Sequence, residues 1–361
     1  MNIYLYNYTS TEIKWIGLVD DFISLDFECL YSGIGSFELV MPPDSPNLSR
    51  VYAANIIWYS PTRAGLIISV VRELRDHQTT ITVKGVELKG LASQRLVYPP
   101  AGQEFQKLED ATHEAIMAAI ITAQIIAPTA SERAINGILD VYTVPSDAET
   151  ATLEGRYETA AELLEDHATD GNAGWRATII DGVIHWQIYH GVDRSTTSQH
   201  PLILSLELDS FSEFMIEDQR LPNLALIAGA GSGASRIIET LGDSTGFDRW
   251  ECYAEAGDKN EETDLPSVGK TALADYGDRL VIEAVLAPHL QESFGNAFDV
   301  GDIVTLQGIL HEQDIDMRIT AATEVYDEDG RRIELEFGYA KSTFTDSIRR
   351  TNRVTKSLIK R

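Results

Sequence analysis

The sequence predicts an α+β protein in which two mainly β regions are accompanied by segments that mix helices with strands. Short alternating or β-branched runs follow one another over residues 1–97. Helical periodicity dominates the stretch that follows, and strand-like runs return between residues 202 and 345. With 361 residues, the chain is long enough for two or three domains with substantial cores.

Residues 1–97 carry the clearest β pattern in the chain. The runs are NIYLYN, IGLVD, ISLDFECLY, SFELVM, NIIWYS, GLIISVV and TTITVKGVEL. Turn residues separate them at the spacing that is typical of a small sandwich or barrel. We therefore expect these residues to form one all-β unit.

Helix and hairpin signals follow this unit. The helical patterns are LEDATHEAIMAAIITAQII, ETAAELLEDHA and, later in the chain, GKTALADYGDRLVIEAVLA. In ATIIDGVIHWQIY, Asp181 and Gly182 can supply the positive φ angles of a two-residue turn. Asp329 and Gly330 repeat the device in VYDEDGRRIELEFGYA, so the sequence predicts a hairpin at each place.

The charge balance is unusual and uneven. The chain has 56 acidic and 29 basic residues, for a net charge of −27. Such a surface repels phosphates and excludes a general DNA-binding protein. The last sixteen residues nevertheless carry six bases and one acid, a net charge of +5, which leaves −32 on the other 345 residues.

Cysteine usage and hydropathy bear on the compartment. Cys29 and Cys252 belong to no pairing motif, and we expect buried thiols in a protein that assembles in a reducing compartment. The opening MNIYLYNYTSTEI lacks the basic stretch and apolar core of a secretory signal. The run AIMAAIITAQIIAP is shorter than a membrane span and favours a buried helix. We therefore expect no stable membrane insertion.

The glycine-rich loop IAGAGSGAS resembles a dinucleotide-binding turn. Gly229, Gly231 and Ala234 fit the pattern G-x-G-x-x-A after a strand-like run. That turn needs a following helix whose N-terminus faces the pyrophosphate. Here SRIIETLGDSTG reaches Gly242 within seven residues of Ser235, so the loop is interpreted as a connection between strands, and no cofactor is predicted.

Metal-binding and cysteine-nucleophile motifs are missing from the sequence. It contains no H-E-x-x-H and no motif that marks either cysteine as a nucleophile. We therefore predict no catalytic and no metal-ligating residue. Carboxylate pairs of the kind that cleave glycosides remain an alternative, because 56 acidic residues offer many pairs.

Seven stretches together resemble the tail-tip hub family of long-tailed phages, the tail-associated proteins at the centre of the siphophage baseplate. In chain order they are SGIGSFELVMP, NIIWYSPTRAGLIISVV, VKGVELKGLASQR, GWRATIIDGVIHWQIYHGVDRS, NLALIAGAGSGASR, FDVGDIVTL and FGYA. The resemblance runs from residue 1 to about residue 345. It includes the glycine loop, which it also assigns to a structural connection.

The resemblance implies two small β-barrel-like domains that build a ring and a mixed α/β domain that decorates it. The first barrel is expected at residues 1–97, and the second is discontinuous, at 202–240 and 297–345. The insertion domain is expected at 98–201 and 241–296. Three copies of two barrels would give six positions, which allows a homotrimer to continue a sixfold tail tube.

The basic C-terminal segment, residues 346–361, is predicted to be a docking element. Its apolar residues recur at roughly helical spacing, and its charge is opposite to that of the body. An acidic neighbour, either its own trimer or another tail protein, would attract it. The alternatives are a disordered solubilising tail, an intramolecular strap and a basic arm that touches DNA. The residues that would carry docking are Ile348, Arg349, Arg350, Arg353, Val354, Lys356, Leu358 and Ile359.

The function that these observations favour is a non-enzymatic virion protein: a trimeric baseplate or tail-tip hub that forms part of the DNA ejection conduit. Its expected partners are the distal tail protein, the tape measure protein and receptor-binding or fibre proteins, with DNA passing through without specific binding. It would assemble in the host cytoplasm and reside in the virion tail tip. A carbohydrate-active enzyme that uses paired carboxylates and the hub of a contractile phage-like injection particle are the alternatives.

Overall fold

The protein is mostly β with a few helices, the α+β class that the sequence predicts. A first compact unit comprises Met1–Glu213 and Ala284–Leu335, and a second is formed mainly by Phe214–Glu283. None of the helices within the described residues is long and apolar enough to span a membrane. The computed structural model describes residues 1–8, 12–75, 78–135, 138–143, 150–218, 221–257, 264–274, 276, 280–310 and 313–338.

Each of the seven β runs predicted in residues 1–97 forms a strand. A short helix, α1 (Leu48–Ala53), lies between the fourth and fifth strands, and a 3-10 helix at Leu88–Gln94 follows the seventh. The strands are β1 (Ile3–Tyr8), β2 (Ile13–Val19), β3 (Ser24–Leu30), β4 (Ser36–Met41), β5 (Ile56–Ser60), β6 (Arg63–Arg75) and β7 (Gln78–Glu87).

These strands form one antiparallel sheet in the order β2-β1-β5-β6-β7-β4-β3. Alternate residues face the core, because successive side chains of a strand point to opposite faces. In β3 the buried positions are Leu25, Phe27 and Cys29. The ring of Phe27 stacks on that of Phe37 in β4, with centroids 5.7 Å apart. Period-two burial is the pattern from which the strands were predicted.

The segment after the first sheet, which the sequence predicts to be part of an insertion, combines helices with two small sheets and belongs to the first compact unit. β8 pairs with β10, and a second small sheet has the order β11-β12-β9. Stacked Trp175 and Trp186 rings fill its core, 6.0 Å apart. The elements are β8 (Gln106–Thr112), α2 (His113–Ile121), a π-helical turn at Thr122–Ile126, β9 (Ile138–Thr143), β10 (Thr150–Gly155), α3 (Ala160–Asp170), β11 (Gly174–Ile180) and β12 (Val183–Tyr189).

Two predictions for the insertion have different outcomes. The hairpin at Asp181 and Gly182 is confirmed, since both residues have positive φ, 52° and 78°, between β11 and β12. The helix predicted from LEDATHEAIMAAIITAQII is wrong at its start, where LEDAT lies in β8. Leu108 pairs there with Leu153 of β10, and this pairing overrides the helical pattern.

The rest of the chain returns to β structure. One long strand, β21, joins the two β regions: Met317 in its first half pairs with Val304, and Thr323 in its second half pairs with Glu28 of β3. The elements are β13 (Asp193–Arg194), β14 (Ile203–Ser205), β15 (Phe211–Asp218), β16 (Leu224–Ala228), β17 (Ile238–Leu241), β18 (Glu251–Glu255), α4 (Asp264–Ala274), β19 (Leu280–Leu286), α5 (Pro288–Gln291), β20 (Ile303–Leu310), β21 (Gln313–Asp327) and β22 (Gly330–Phe337).

The second unit is a three-stranded sheet, in the order β17-β16-β18, with α4 packed against it. Its core contains Ala225 and Ile227 of β16 together with Cys252 and Leu265. The predicted boundary between residues 240 and 241 differs from this arrangement, because it would cut β17. Both β17 and β18 pair with β16, so the residues before and after that boundary belong to one sheet.

Three smaller outcomes concern the cysteines, one helix and one hairpin. Cys29 and Cys252 are buried free thiols, as predicted. The helix predicted from GKTALADYGDRLVIEAVLA ends at Ala274, and LVIEAVL forms strand β19 instead. The hairpin predicted at Asp329 and Gly330 connects β21 and β22, which are neighbours in the sheet. Only Gly330 has positive φ, 114°, so the expectation for Asp329 is wrong.

Helices α2 and α3 meet at a pair of histidines. The Nδ1 atoms of His113 and His167 lie 3.0 Å apart, so one must donate a hydrogen bond and the other accept it. Burial and then the neighbouring His113 lower the pKa of His167 to about 4. The folded protein therefore holds His167 neutral in mildly acidic solution.

We predict that acidification destabilises the protein through His167. The unfolded chain protonates this residue near pH 6.5 but the folded chain only near pH 4, so the free energy of unfolding falls as pH drops through that window. His167→Gln, which cannot titrate, should show a shallower fall in urea unfolding measured across the same pH range. The exposed His200 provides the control His200→Gln, which should keep the wild-type profile. Identical profiles for all three proteins would contradict the prediction.

Candidate functional site

A buried ionic junction lies where the two β regions meet. Arg63, at the start of β6, has only 4% of its side chain exposed. Its Nη2 donates to Oδ1 of Asp299 at 2.7 Å and its Nη1 to Oδ2 at 3.2 Å. Its Nε donates to Oε1 of Glu324 at 2.6 Å. One guanidinium from the first β region thus binds two carboxylates from the second, one of them in bidentate geometry.

Neighbouring groups complete the hydrogen bonding of this junction. Glu324 accepts a second set of bonds at Oε2, from Arg331 and from the Tyr326 hydroxyl, each at 2.9 Å. Burial alone would raise the pKa of Asp299, but the charge and hydrogen bonds of Arg63 hold that pKa below its ordinary value. The junction is therefore a set of paired charges, which is the condition under which a protein tolerates buried ions.

A second set of polar contacts fixes the insertion to both β regions. Lys89 is 1% exposed, and its Nζ donates to the carbonyl oxygens of Leu30 at 2.6 Å and Trp175 at 3.0 Å. Asp302 accepts from the backbone N–H of Val192 and from Arg194 Nε, both at 2.7 Å. Lys89 therefore connects the insertion to the first β region, and Asp302 connects it to the second.

The junction does not supply the chemistry of a glycosidase. A narrow cleft beside it is lined by Thr62, Arg63, Arg176, Tyr189 and Asp299. A general acid needs a raised pKa, whereas Asp299 has a lowered pKa and is engaged by Arg63. Among the described residues, no group of three or more histidine, cysteine or acidic side chains could hold a metal ion. The contacts of Arg63 with Asp299 and Glu324 therefore hold the two β regions together.

The glycine loop connects two strands, as the sequence analysis expects. Ala228 of β16 pairs with Ile238 of β17, so the loop is the turn of an antiparallel hairpin. The helix that a pyrophosphate needs is absent there, since Gly233–Ser235 is a single 3-10 turn. Gly231 has a φ of +99°, and a Cβ atom at this position would lie 2.7 Å from the Ser235 carbonyl oxygen. Glycine is therefore required at this position by the backbone conformation of the turn.

The sequence-predicted docking residues and the observed site lie in different parts of the chain. The C-terminal docking residues, from Ile348 to Ile359, lie outside the described residues. Arg63, Asp299 and Glu324 are not among the residues predicted from the sequence. The sequence does contain a sign of Arg63, because a charged residue within the largely apolar run NIIWYSPTRAGLIISVV suggests a buried charge that needs a partner.

The fold is that of phage tail proteins. It is similar to a tail protein from Neisseria meningitidis MC58, with a TM-score of 0.60 and 13% identity over 96% of this chain and 98% of that one. The 43 kDa tail protein of prophage MuSo2 from Shewanella oneidensis has a TM-score of 0.59 and 13% identity, over 94% and 98%. Prophage tail protein gp18 from Listeria monocytogenes EGD-e has a TM-score of 0.55 and 12% identity, over 99% and 100%.

The family follows from the sequence itself. Residues 2–339 match the model of the Siphovirus ReqiPepy6 Gp37-like protein family, and the chain belongs to this family. No curated protein matches the sequence. The family and the fold together make this chain a viral tail protein. The resemblance to siphophage tail proteins is thereby confirmed.

We predict that the buried junction carries a large share of the stability. Arg63→Met should lower the free energy of unfolding by about 3–5 kcal/mol, because Asp299 and Glu324 would lose their hydrogen bonds to the buried guanidinium. Arg331 would still pair with Glu324, but Asp299 would be left with the more distant Arg176 as its ionic partner, at 4.0 Å. The matched control is Arg332→Met. It breaks an exposed pair with Glu334 and should cost less than about 1 kcal/mol. Urea unfolding measures both, and equal losses would contradict the structural role of Arg63.

Proposed function

We propose that the protein is the trimeric hub of the phage baseplate or tail tip. In this role it joins the tail tube to host-binding components, forms part of the DNA ejection conduit and acts without catalysis. The observation that carries the proposal is strand β21, which pairs with β20 in one β region and with β3 in the other. One chain thus supplies two linked β regions, and three copies supply the six positions of a ring.

The charge of the chain supports the conduit. Each copy carries −27, so three copies would place a strongly acidic field around a passing duplex. DNA phosphates gain affinity from basic side chains and counterion release, and an acidic wall offers neither. The duplex would therefore pass without specific binding, whereas a basic wall would retain it.

The proposed assembly partners are tail components. A hub between tube and adhesion apparatus contacts the distal tail protein, the tape measure protein and receptor-binding or fibre proteins. The protein would assemble in the host cytoplasm and reside in the tail tip of the virion. Family membership and the fold of solved tail proteins support this class of partners.

We predict that the full-length protein forms a trimer, because a two-region chain closes a sixfold arrangement only with three copies. Size-exclusion chromatography with light scattering should give three times the 39.9 kDa mass of the chain, alone or with the distal tail protein. A protein that remains monomeric with its partner present would contradict the proposed hub.

We further propose that residues 346–361 dock onto an acidic neighbour. This segment carries +5 beside a body of −32, and opposite charges favour association. Deletion of residues 346–361 should leave the trimer intact and remove a distal component from tails in a complementation assay. The charge-conserving replacement of Arg349, Arg350 and Arg353 by lysine is the control and should assemble normally. Normal tails and infection with the deletion would contradict docking.

A further inference from the structure

The β6–β7 hairpin extends beyond the sheet that supports it. β5 pairs with β6 only as far as Leu66, and β4 pairs with β7 only from Ile81 onward. Between these limits the two strands pair only with each other among the described residues. An isolated two-stranded ribbon is only marginally stable in water. Residues 68–75 therefore form a strand edge that no other strand covers in the described part of the chain.

The side chains on this edge are unusual for a surface strand. Ile68 is 62% exposed and Leu74 is 69% exposed, with Val71 also exposed between them. Soluble proteins protect such edges, because an uncovered apolar strand pairs with other chains. The local charge also differs from that of the chain, since residues 68–75 contain Arg72, Glu73 and Arg75, a net of +1. The edge suits a partner that is acidic and partly apolar.

The chain itself contains a strand with these properties. β15 stands at one end of the sheet order, and among the described residues it has a strand neighbour, β19, on one side only. Its eight residues match the length of the ribbon edge and carry three acids and no base, a net of −3. Phe214 and Met215 are exposed apolar side chains near its centre.

We infer that the open edge of β6, residues 68–75, pairs with the open edge of β15, Phe211–Asp218, of a second copy of this chain. Strand addition satisfies backbone groups on both edges, and the opposite charges favour this pairing over pairing of like edges. The contact joins two different surfaces, so it repeats head to tail and closes a ring when the rotation permits. This inference rests on the proposed trimer and identifies the surfaces that would build it.

Disulfide trapping in the full chain tests the pairing. One variant combines Val71→Cys with Phe214→Cys, and another combines Val71→Cys with Met215→Cys. Neighbouring residues of β15 point to opposite faces, so one of the two pairs lies on the matching face whichever way the strands run. Opposed residues of paired strands have Cβ atoms about 4.5–5.5 Å apart, close to disulfide geometry. The native cysteines are buried.

After mild oxidation, one of the two variants should give covalent dimers and trimers that a reductant removes. Thr80→Cys with Phe214→Cys is the control, because Thr80 pairs with Glu73 from the opposite edge of the ribbon and should not cross-link. Equal cross-linking in this control, or covalent dimers from Val71→Cys alone, would overturn the pairing. The absence of disulfides from both test variants would also overturn it. If the pairing is overturned and the wild type is still trimeric, the proposed hub is unaffected. A monomeric wild type would contradict both the pairing and the hub.

A charge variant gives an independent measure. Arg72 is exposed on the ribbon edge, so Arg72→Glu should leave the fold intact and oppose the acidic β15 of the next copy. We expect the midpoint concentration for assembly to rise at least tenfold, while Arg72→Lys stays close to wild type. An unchanged midpoint for Arg72→Glu, with a trimeric wild type, would overturn the inference.

Discussion

The contact of Arg63 with Asp299 and Glu324 is the interaction on which the first unit depends. It joins residues more than two hundred positions apart in the sequence, and the side chains of Arg63 and Glu324 are almost completely buried. A buried arginine is tolerated only while its carboxylate partners stay in place, so the ions fix the alignment of β6 with β21. A hydrophobic contact of the same area would hold the two regions together with less directional preference.

Strand β21 acts together with this junction. Because β21 pairs with β20 along its first half and with β3 along its second, the two β regions share one continuous strand. Glu324 lies in the half that pairs with β3, opposite Phe27, so the ion pairs and the strand pairing support the same alignment. Lys89 and Asp302 extend the polar connections to the insertion. Buried side-chain contacts therefore connect the parts of the first unit in addition to the strand pairing.

The strands of the first β region could be predicted because period-two burial is a local property of the sequence. All seven runs before residue 97 form strands, and the Asp181-Gly182 turn follows from backbone preferences alone. LVIEAVL was mistaken for helix because Val281 and Ile282 are both buried, which breaks the alternation that marks a strand, and periodicity then cannot separate the two. The junction could not be predicted at all. Arg63 and Glu324 meet only through the pairing of distant strands, and spacing along the chain carries no information about that.

The glycine loop shows how local sequence can suggest the wrong chemistry. Gly229, Gly231 and Ala234 fit a nucleotide-binding turn, but the pairing of β16 with β17 makes the loop a hairpin. The sequence already indicated that no long helix follows the glycines, and this observation correctly favoured a connection between strands over a nucleotide-binding turn. For this chain, the resemblance to phage tail proteins favoured a structural component over an enzyme. The buried, fully paired carboxylates agree with that assignment.

The central claim is that two linked β regions per chain build a threefold hub in the phage tail. Electron cryomicroscopy of purified tails tests it most directly, because it reports copy number, position and channel at once. We expect three copies in a closed ring at the tail tip, with their six β regions around one axial channel. A different copy number, or density for this chain away from the tube axis, would contradict it.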